Sequence, residues 1–345
     1  MAKKKKGLKK GLIFALTGLF VTGGLALLGA YLVMFAPNVQ KDGILLIPTG
    51  STYQDVQDSL KKHDFLKSSA NFDIWQRLKS YQNHIKPGRY ELRKGMTNKQ
   101  LVDILRSGQQ TPIRLTFNNI RTLDQLAGRV SVVLETDSAS LMTAFLDSEF
   151  LKKHQLSKYT VKAIFIPNTY ELWWNTSASQ FVERMRVEHE RFWNQERRKK
   201  AEARNLTPIE VSILASIVQE ETKKNDEKPL VASVYLNRLR RGMLLQADPT
   251  VKYGFGDFEL RRILFVHLRH DSPFNTYMYK GLPPGPICFP SIISLDAVLN
   301  APSTEYLFMC ARPDFSGYHA FAKTHAEHTQ NARRYHEFLN RNRIR

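Results

Sequence analysis

Residues 206–222 read LTPIEVSILASIVQEET. Thr207 fits the N-cap of a helix, Pro208 its first position and Glu210 its third. That is a capping box with a proline where the missing N–H costs nothing. The helix is then apolar until Gln219-Glu220-Glu221-Thr222, so two adjacent acids end an otherwise buried helix. Glu221 lies three residues after Val218, four after Ile217 and seven after Leu214; Glu220 follows Ile217, Ser216 and Ile213 in the same way. Both stripes hold apolar residues, and spacing favours Glu221 only slightly. A carboxyl group that continues a core-facing stripe loses hydration, which raises its pKa. A carboxylic acid still protonated near neutral pH can donate a proton to a leaving group. An exposed helix end with two solvated acids fits the same spacing.

Upstream of this helix, residues 177–203 are dense in charge and predict one long surface helix. Residues 161–167 (VKAIFIP) are apolar and lead to Tyr170, Trp173 and Trp174. Such an aromatic cluster fits core packing or a groove on which pyranose faces stack. The character of the chain shifts near residue 145. Before that point, residues 44–47 (ILLI) and Pro48-Thr49-Gly50 predict a strand and a turn. Tyr53, Val56 and Leu60 predict a helix behind a Ser51 or Thr52 cap, and residues 71–78 predict a second one. Residues 87–92 alternate as a strand. Thr97 opens a further helix carrying Leu101, Ile104 and Leu105, with Gly108 past its end; residues 113–117 alternate as a strand, and Thr122 offers another cap. The order strand–helix–helix–strand describes a small α+β module, suited to recognition or to plain spacing.

The N-terminus places the chain. Lys3, Lys4, Lys5, Lys6, Lys9 and Lys10 precede residues 11–40, which hold no charge. Residues 11–36 read GLIFALTGLFVTGGLALLGAYLVMFA, and about 20 apolar residues suffice to cross a bilayer. Tyr31 suits the far interface. A cleaved signal has an apolar core of about 7–15 residues and a small-residue cleavage site. This run is longer and lacks an A-x-A signature, so an uncleaved anchor is expected. The positive-inside tendency then keeps the lysines in the cytoplasm and puts the rest of the chain outside the plasma membrane.

Composition sets the remaining limits. With 345 residues, 42% apolar and 24% charged, a wholly disordered or collagen-like chain is excluded. Two cysteines exclude a dense disulfide scaffold and a four-cysteine zinc site. A net charge of +19 invites a nucleic-acid partner. The lysine cluster supplies six of those charges, and the others face a compartment without nucleic acid. Anionic polymers or surfaces are expected there instead, and no nucleic acid.

After residues 214–222 (LASIVQEET) come, in order, residues 231–239 (VASVYLNRL), 243–254 (MLLQADPTVKYG), 275–277 (NTY) and 281–287 (GLPPGPI). His319-Ala320-Phe321, Thr324 and Glu327-His328 come near the end. The series resembles the MltG (YceG-like) family of endolytic murein transglycosylases. The likeness runs through the anchor, the small module and the C-terminal half. It implies an α+β fold with an N-terminal transmembrane helix, a βααβ LysM-like subdomain, and an α+β catalytic domain whose catalytic Glu sits on a helix. The implied divisions are a cytoplasmic basic segment (1–10), the anchor (11–36), the LysM-like subdomain (42–145) and the catalytic domain (146–345). The implied activity is that of a lyase. It cleaves the MurNAc-β-1,4-GlcNAc bond within nascent peptidoglycan, leaves 1,6-anhydroMurNAc ends, and acts as a terminase of glycan polymerisation at the plasma membrane.

The family's catalytic position, the Glu before Thr, falls on Glu221. Family members often carry Glu two residues earlier; Gln219 stands there in this chain. The resemblance offers Gln246, Asp248, Thr250, Tyr253, Asn275, Tyr277, Pro284 and Gly285 as substrate-binding residues. It implies no metal and no cofactor. The implied partners are peptidoglycan strands, the lipid bilayer and wall-synthesis enzymes. His319 and His328 fit core or network histidines, and Cys288 and Cys310 fit either a disulfide or two free thiols. The alternative is a non-catalytic, membrane-anchored scaffold that binds the cell wall.

Overall fold

A computed structural model describes residues 2–260 and 263–342. Met1, the side chains of the six N-terminal lysines and the last three residues of the expected catalytic domain lie outside the described residues. The chain is a mixed α+β protein that divides into two compact units. One comprises Met1–Ile113 with Glu171–Thr176, the other Arg114–Tyr170 with Ser177–Arg345.

The first unit begins with α1 (Ala2–Phe35). Its segment Ile13–Leu32 has a mean hydropathy of 2.0 and no buried residue, so it is long and apolar enough to cross a membrane. Thr17 and Thr22 donate their hydroxyls to Ile13 O and Gly18 O, one turn back, which satisfies them inside the helix. Then come β1 (Gly43–Ile47), α2 (Tyr53–Lys62), α3 (Ser69–Leu78), β2 (Gly88–Leu92) and α4 (Asn98–Ser107). The two strands pair antiparallel, with Gly43 opposite Leu92 and Ile47 opposite Gly88. Thr52 and Thr97 close capping boxes on α2 and α4, and Gly108 ends α4 in the left-handed region at φ 74°. The helices lay Val56, Leu60, Phe72, Leu101 and Leu105 against Leu45, Ile47 and Tyr90 of the strands to form one core.

The second unit takes up the chain within β3 (Ile113–Phe117), which leads into α5 (Leu123–Ser131), α6 (Ser138–Phe145) and α7 (Ser148–Lys153). β4 (Asn168–Leu172) comes next and forms a two-stranded sheet with β3. The expected long charged helix is two helices, α8 (Ala178–Phe192) and α9 (Gln195–Glu202). The break is a local competition. The side chain of Asn194 accepts the Arg197 N–H at 3.0 Å and caps a new helix, while Trp193, 1% exposed, anchors the junction in the core.

α10 (Pro208–Glu221) is the axis of this unit. Residues Val211, Ser212, Ile213, Leu214, Ala215, Ser216, Ile217 and Val218 are all buried, as an all-round apolar helix requires. α11 (Lys228–Arg240), α12 (Asp248–Phe255) and α14 (Ile292–Leu299) pack around it, with α13 (Phe265–Leu268) between the last two in sequence. Ser216 is accommodated because its hydroxyl donates to Ile213 O and accepts the Ile287 N–H. β5 (Phe308–Ala311) and β6 (His319–Ala322) form an antiparallel hairpin before α15 (His325–Arg341).

Candidate active site

α10 delivers its two terminal acids to different environments. Thr207 and Glu210 close the capping box at the start of α10, with Pro208 in the first turn. Thr222 ends it in an extended conformation, so Glu221 is the last helical residue. A carboxylate there faces the negative end of the helix dipole, which disfavours its charge. Tyr235, from the buried face of α11, donates its hydroxyl to Glu221 Oε1 at 2.5 Å. Glu221 keeps a partly exposed surface, yet its carboxyl group is crowded by protein. Burial pushes its pKa up to about 7; the Tyr235 hydrogen bond opposes this, Asp248 adds to it, and Arg238 opposes it. Glu220, one residue earlier, accepts Arg121 Nη2 at 2.9 Å instead. Gln219 is fixed by a third set of contacts. Its amide donates to Phe289 O at 3.2 Å, and its carbonyl oxygen accepts Ser291 N–H at 2.6 Å and the Ser294 hydroxyl at 3.1 Å.

Two concavities meet at Glu221. A cleft of about 1000 Å³ is lined by Arg121, Glu220, Glu221, Asp248, Tyr253 and Phe258, among others. A pocket of about 200 Å³ is lined by Glu221, Tyr235, Arg238, Gln246, Tyr277 and His319, and again by Asp248. Asp248 opens α12 and accepts the Tyr277 hydroxyl at 2.6 Å. Burial first, and then this bond to Asp248, hold the Tyr277 phenol far above its ordinary pKa, so it stays a donor. Arg238 is anchored by Leu307 O at 2.6 Å, Leu245 O at 2.8 Å and Gln246 Oε1 at 3.2 Å. Lys162 donates to the Tyr253 hydroxyl at 2.8 Å, and burial lowers its pKa to about 8. A further cavity of about 760 Å³, beside Glu210 at the other end of α10, contains neither Glu221 nor Asp248.

Of the residues singled out from sequence, Glu221, Asp248, Gln246, Tyr277 and Tyr253 line these two concavities. Thr250 and Asn275 are buried, and their polar atoms are spent inside the protein. Thr250 Oγ1 bonds Ala247 O and Thr276 Oγ1, while Asn275 Nδ2 donates to Leu268 O and His270 O. They shape the backbone that presents Asp248 and Tyr277. Pro284 and Gly285 line neither concavity. At Gly285 a Cβ would stand 2.1 Å from Tyr159 O, so the absent side chain serves close packing there. Cys288 and Cys310 are both free thiols.

Sequence reasoning gave no role to Tyr235, Arg238, Arg121 or Glu227. Tyr235 had a readable signal: a tyrosine within an apolar helical stripe needs a partner for its hydroxyl. Arg238, three residues on, shares its face. Arg121 and the Glu227–His319 pair had none, because the partners lie 99 and 92 residues apart.

An α+β unit that holds a proton-retaining carboxyl at a helix end, above a large cleft of mixed polar and apolar lining, presents a candidate acid–base site. The chain belongs to the YceG-like family, whose model matches residues 45–334. It is 27% identical over 331 residues to a Bacillus subtilis protein named endolytic murein transglycosylase, with 91% of each chain covered. A protein of the same name from Streptococcus pneumoniae is 27% identical over 309 residues, and there the match spans 55% of the relative and 79% of this chain. Among solved structures, a yceG-like protein of Listeria monocytogenes superposes with a TM-score of 0.55 at 26% identity, covering 84% of this chain and 98% of that one.

Proposed function

We propose that this protein is a membrane-anchored peptidoglycan lytic transglycosylase that cuts inside nascent glycan strands. The observation that carries the reading is Glu221: a carboxyl kept protonated to about pH 7, at the junction of a cleft and a pocket lined with hydrogen-bonding groups. The names of the relatives from Bacillus subtilis and Streptococcus pneumoniae point the same way.

One carboxyl can serve both halves of the reaction. Glu221 protonates the oxygen between MurNAc and GlcNAc, and the C1–O bond breaks. The 2-acetamido group of the muramic acid steadies the cationic C1. Glu221, now a carboxylate, takes the proton of the same sugar's C6 hydroxyl, and O6 bonds to C1. The product is a 1,6-anhydro end, and no water is consumed. An intramolecular nucleophile has a large proximity advantage over water, which explains how the site manages without the second carboxylate of an ordinary glycosidase. Asp248, Tyr277 and Gln246 supply hydrogen bonds to the sugar at the pocket, and Tyr253 lines the cleft wall. The LysM-like module of residues 42–145 and residues 146–345 serve recognition and catalysis respectively. With α1 in the plasma membrane and the remainder outside it, the site works on strands as the wall-synthesis enzymes make them, and so limits their length.

The test is mass spectrometry of fragments released from purified peptidoglycan by the full chain in detergent micelles. The wild type should leave 1,6-anhydro ends. Glu221→Gln should lose at least about a thousandfold in rate, as removal of the only acid–base group would, while still sedimenting with glycan. Normal turnover by Glu221→Gln alongside a dead Glu220→Gln would move the role by one residue. A wild type that releases nothing would leave the wall-binding scaffold.

A further inference from the structure

We propose that His319 is a further substrate-contacting residue, which holds the C6 hydroxyl of the reacting sugar in line for ring closure. The proposal rests on the transglycosylase reading and adds to it a residue that reading does not use.

Glu227 lies after α10 on the turn into α11, and its side chain is a buried carboxylate, 2% exposed. Three donors converge on it. The Thr222 hydroxyl reaches Oε2 at 3.0 Å, the His319 backbone N–H reaches Oε1 at 2.6 Å, and His319 Nδ1 lies 2.8 Å from Oε2. Thr222, the residue directly after Glu221, also accepts the Lys224 N–H at 3.0 Å. Glu227 thus ties the end of α10 to the first residue of β6. A carboxylate oxygen facing Nδ1 selects the tautomer of the neutral imidazole that carries its proton on Nδ1. In that tautomer Nε2, across the ring, carries the lone pair.

His319 keeps 17% of its side chain exposed and lines the 200 Å³ pocket together with Glu221, whereas Glu227 does not. Its cross-strand neighbour Ala311 lines the same pocket. The other polar groups of that pocket each keep a partner within the protein and turn their remaining hydrogen-bonding capacity to the sugar's other hydroxyl and acetamido groups. Tyr235 donates to Glu221, Tyr277 donates to Asp248, and the Gln246 side chain accepts from Arg238. His319 Nε2 is an acceptor of fixed direction, held by a carboxylate behind it.

The proposed reaction needs such an acceptor. While Glu221 donates its proton to the leaving oxygen through one carboxyl oxygen, the other already accepts from Tyr235, and a separate acceptor is better placed to orient the C6 hydroxyl. Accepting the O6–H bond, His319 places O6 toward C1. Once the leaving group departs, rotation about C6–O6 turns the proton to the Glu221 carboxylate, and O6 bonds to C1. His319 gains and loses no proton, so the balance of the reaction is unchanged.

Product partition tests this. If O6 is poorly held, water competes for the cationic C1 and leaves a reducing end. The full chain in detergent micelles is given purified glycan strands, and anhydro and reducing ends are counted by mass spectrometry. In His319→Asn the side-chain amide still reaches Glu227 but withdraws from the pocket. The ratio of anhydro to reducing ends should fall about tenfold, the loss of one orienting hydrogen bond. His319→Gln, with an acceptor at the reach of Nε2, should keep most of the ratio. A wild-type ratio in His319→Asn, or an equal fall in both variants, overturns the assignment. A second measurement does not depend on either variant folding. The His319 Nε2 resonance of the Glu221→Gln chain should shift when glycan strands are added, and a stationary resonance overturns the assignment too. A wild type that makes only reducing ends rejects the transglycosylase reading itself, which keeps the two failures apart.

Discussion

The Glu221 carboxyl must hold a proton to begin the proposed reaction, and its surroundings set how long it does so as pH rises. Burial raises its pKa to about 7, so in the proposed reaction activity should be full below that value and fall as pH climbs through it. Two neighbours push in opposite directions. The Tyr235 hydroxyl donates to the carboxylate and favours the charged form; the Asp248 charge disfavours it. Tyr235→Phe should therefore move the alkaline limb of kcat to higher pH by about one unit, the value of a hydrogen bond to a charged acceptor. Asp248→Asn should move it to lower pH. Profiles of kcat from pH 5 to about 9 on glycan strands check both signs. Limbs that shift in the same direction, or stay fixed, would mean that neither group acts on the charge of Glu221.

α10 is where sequence and structure agree most closely, and the reason is local. Thr207, Pro208 and Glu210 fix its start through contacts three residues apart, and its all-round apolar surface requires burial. Thr207→Ala should cost about 1 kcal/mol in a denaturant melt. The cap lies fourteen residues, about 20 Å along the helix, from Glu221, so kcat and its pH profile should not change. A changed profile would mean that the start of the helix sets the geometry of its end. The same locality made the caps at Thr52, Thr97 and Thr122 legible. It failed at residues 177–203, where charge density suggested one helix and the buried Trp193 with the Asn194 cap made two. The site was legible in part. A run of acids after a core helix marked Glu220 and Glu221, but only Tyr235 and Arg121, from distant segments, give the two acids different settings. Thr250 and Asn275 carry side chains suited to binding sugar, and burial commits them to the frame instead. Nothing in the spacing of Glu227 and His319 announces a pair 92 residues apart.

At the scale of the molecule, the charge of +19 and the apolar α1 bear on where the enzyme finds its substrate. In the proposed arrangement, α1 and a nascent strand held in one bilayer share a surface, which raises their effective concentration to about the millimolar range without any new contact. The proposed role in limiting strand length depends on that gain, since a free enzyme would meet mature wall as readily as new strands. The anchor should therefore change encounter and leave chemistry alone. Full-length protein and lipid-linked glycan strands can be placed in the same vesicles or in separate ones, at equal total concentration. Cleavage in shared vesicles should be faster by about tenfold or more. On soluble strands, the two preparations should act at one rate. Raising ionic strength past the point where the Debye length is about 8 Å should slow the separate-vesicle reaction more, because there the excess positive charge of the chain must draw in the proposed acidic polymer unaided. Equal rates in shared and separate vesicles would remove tethering from the account of how strands are shortened, and would leave α1 as a means of localisation alone.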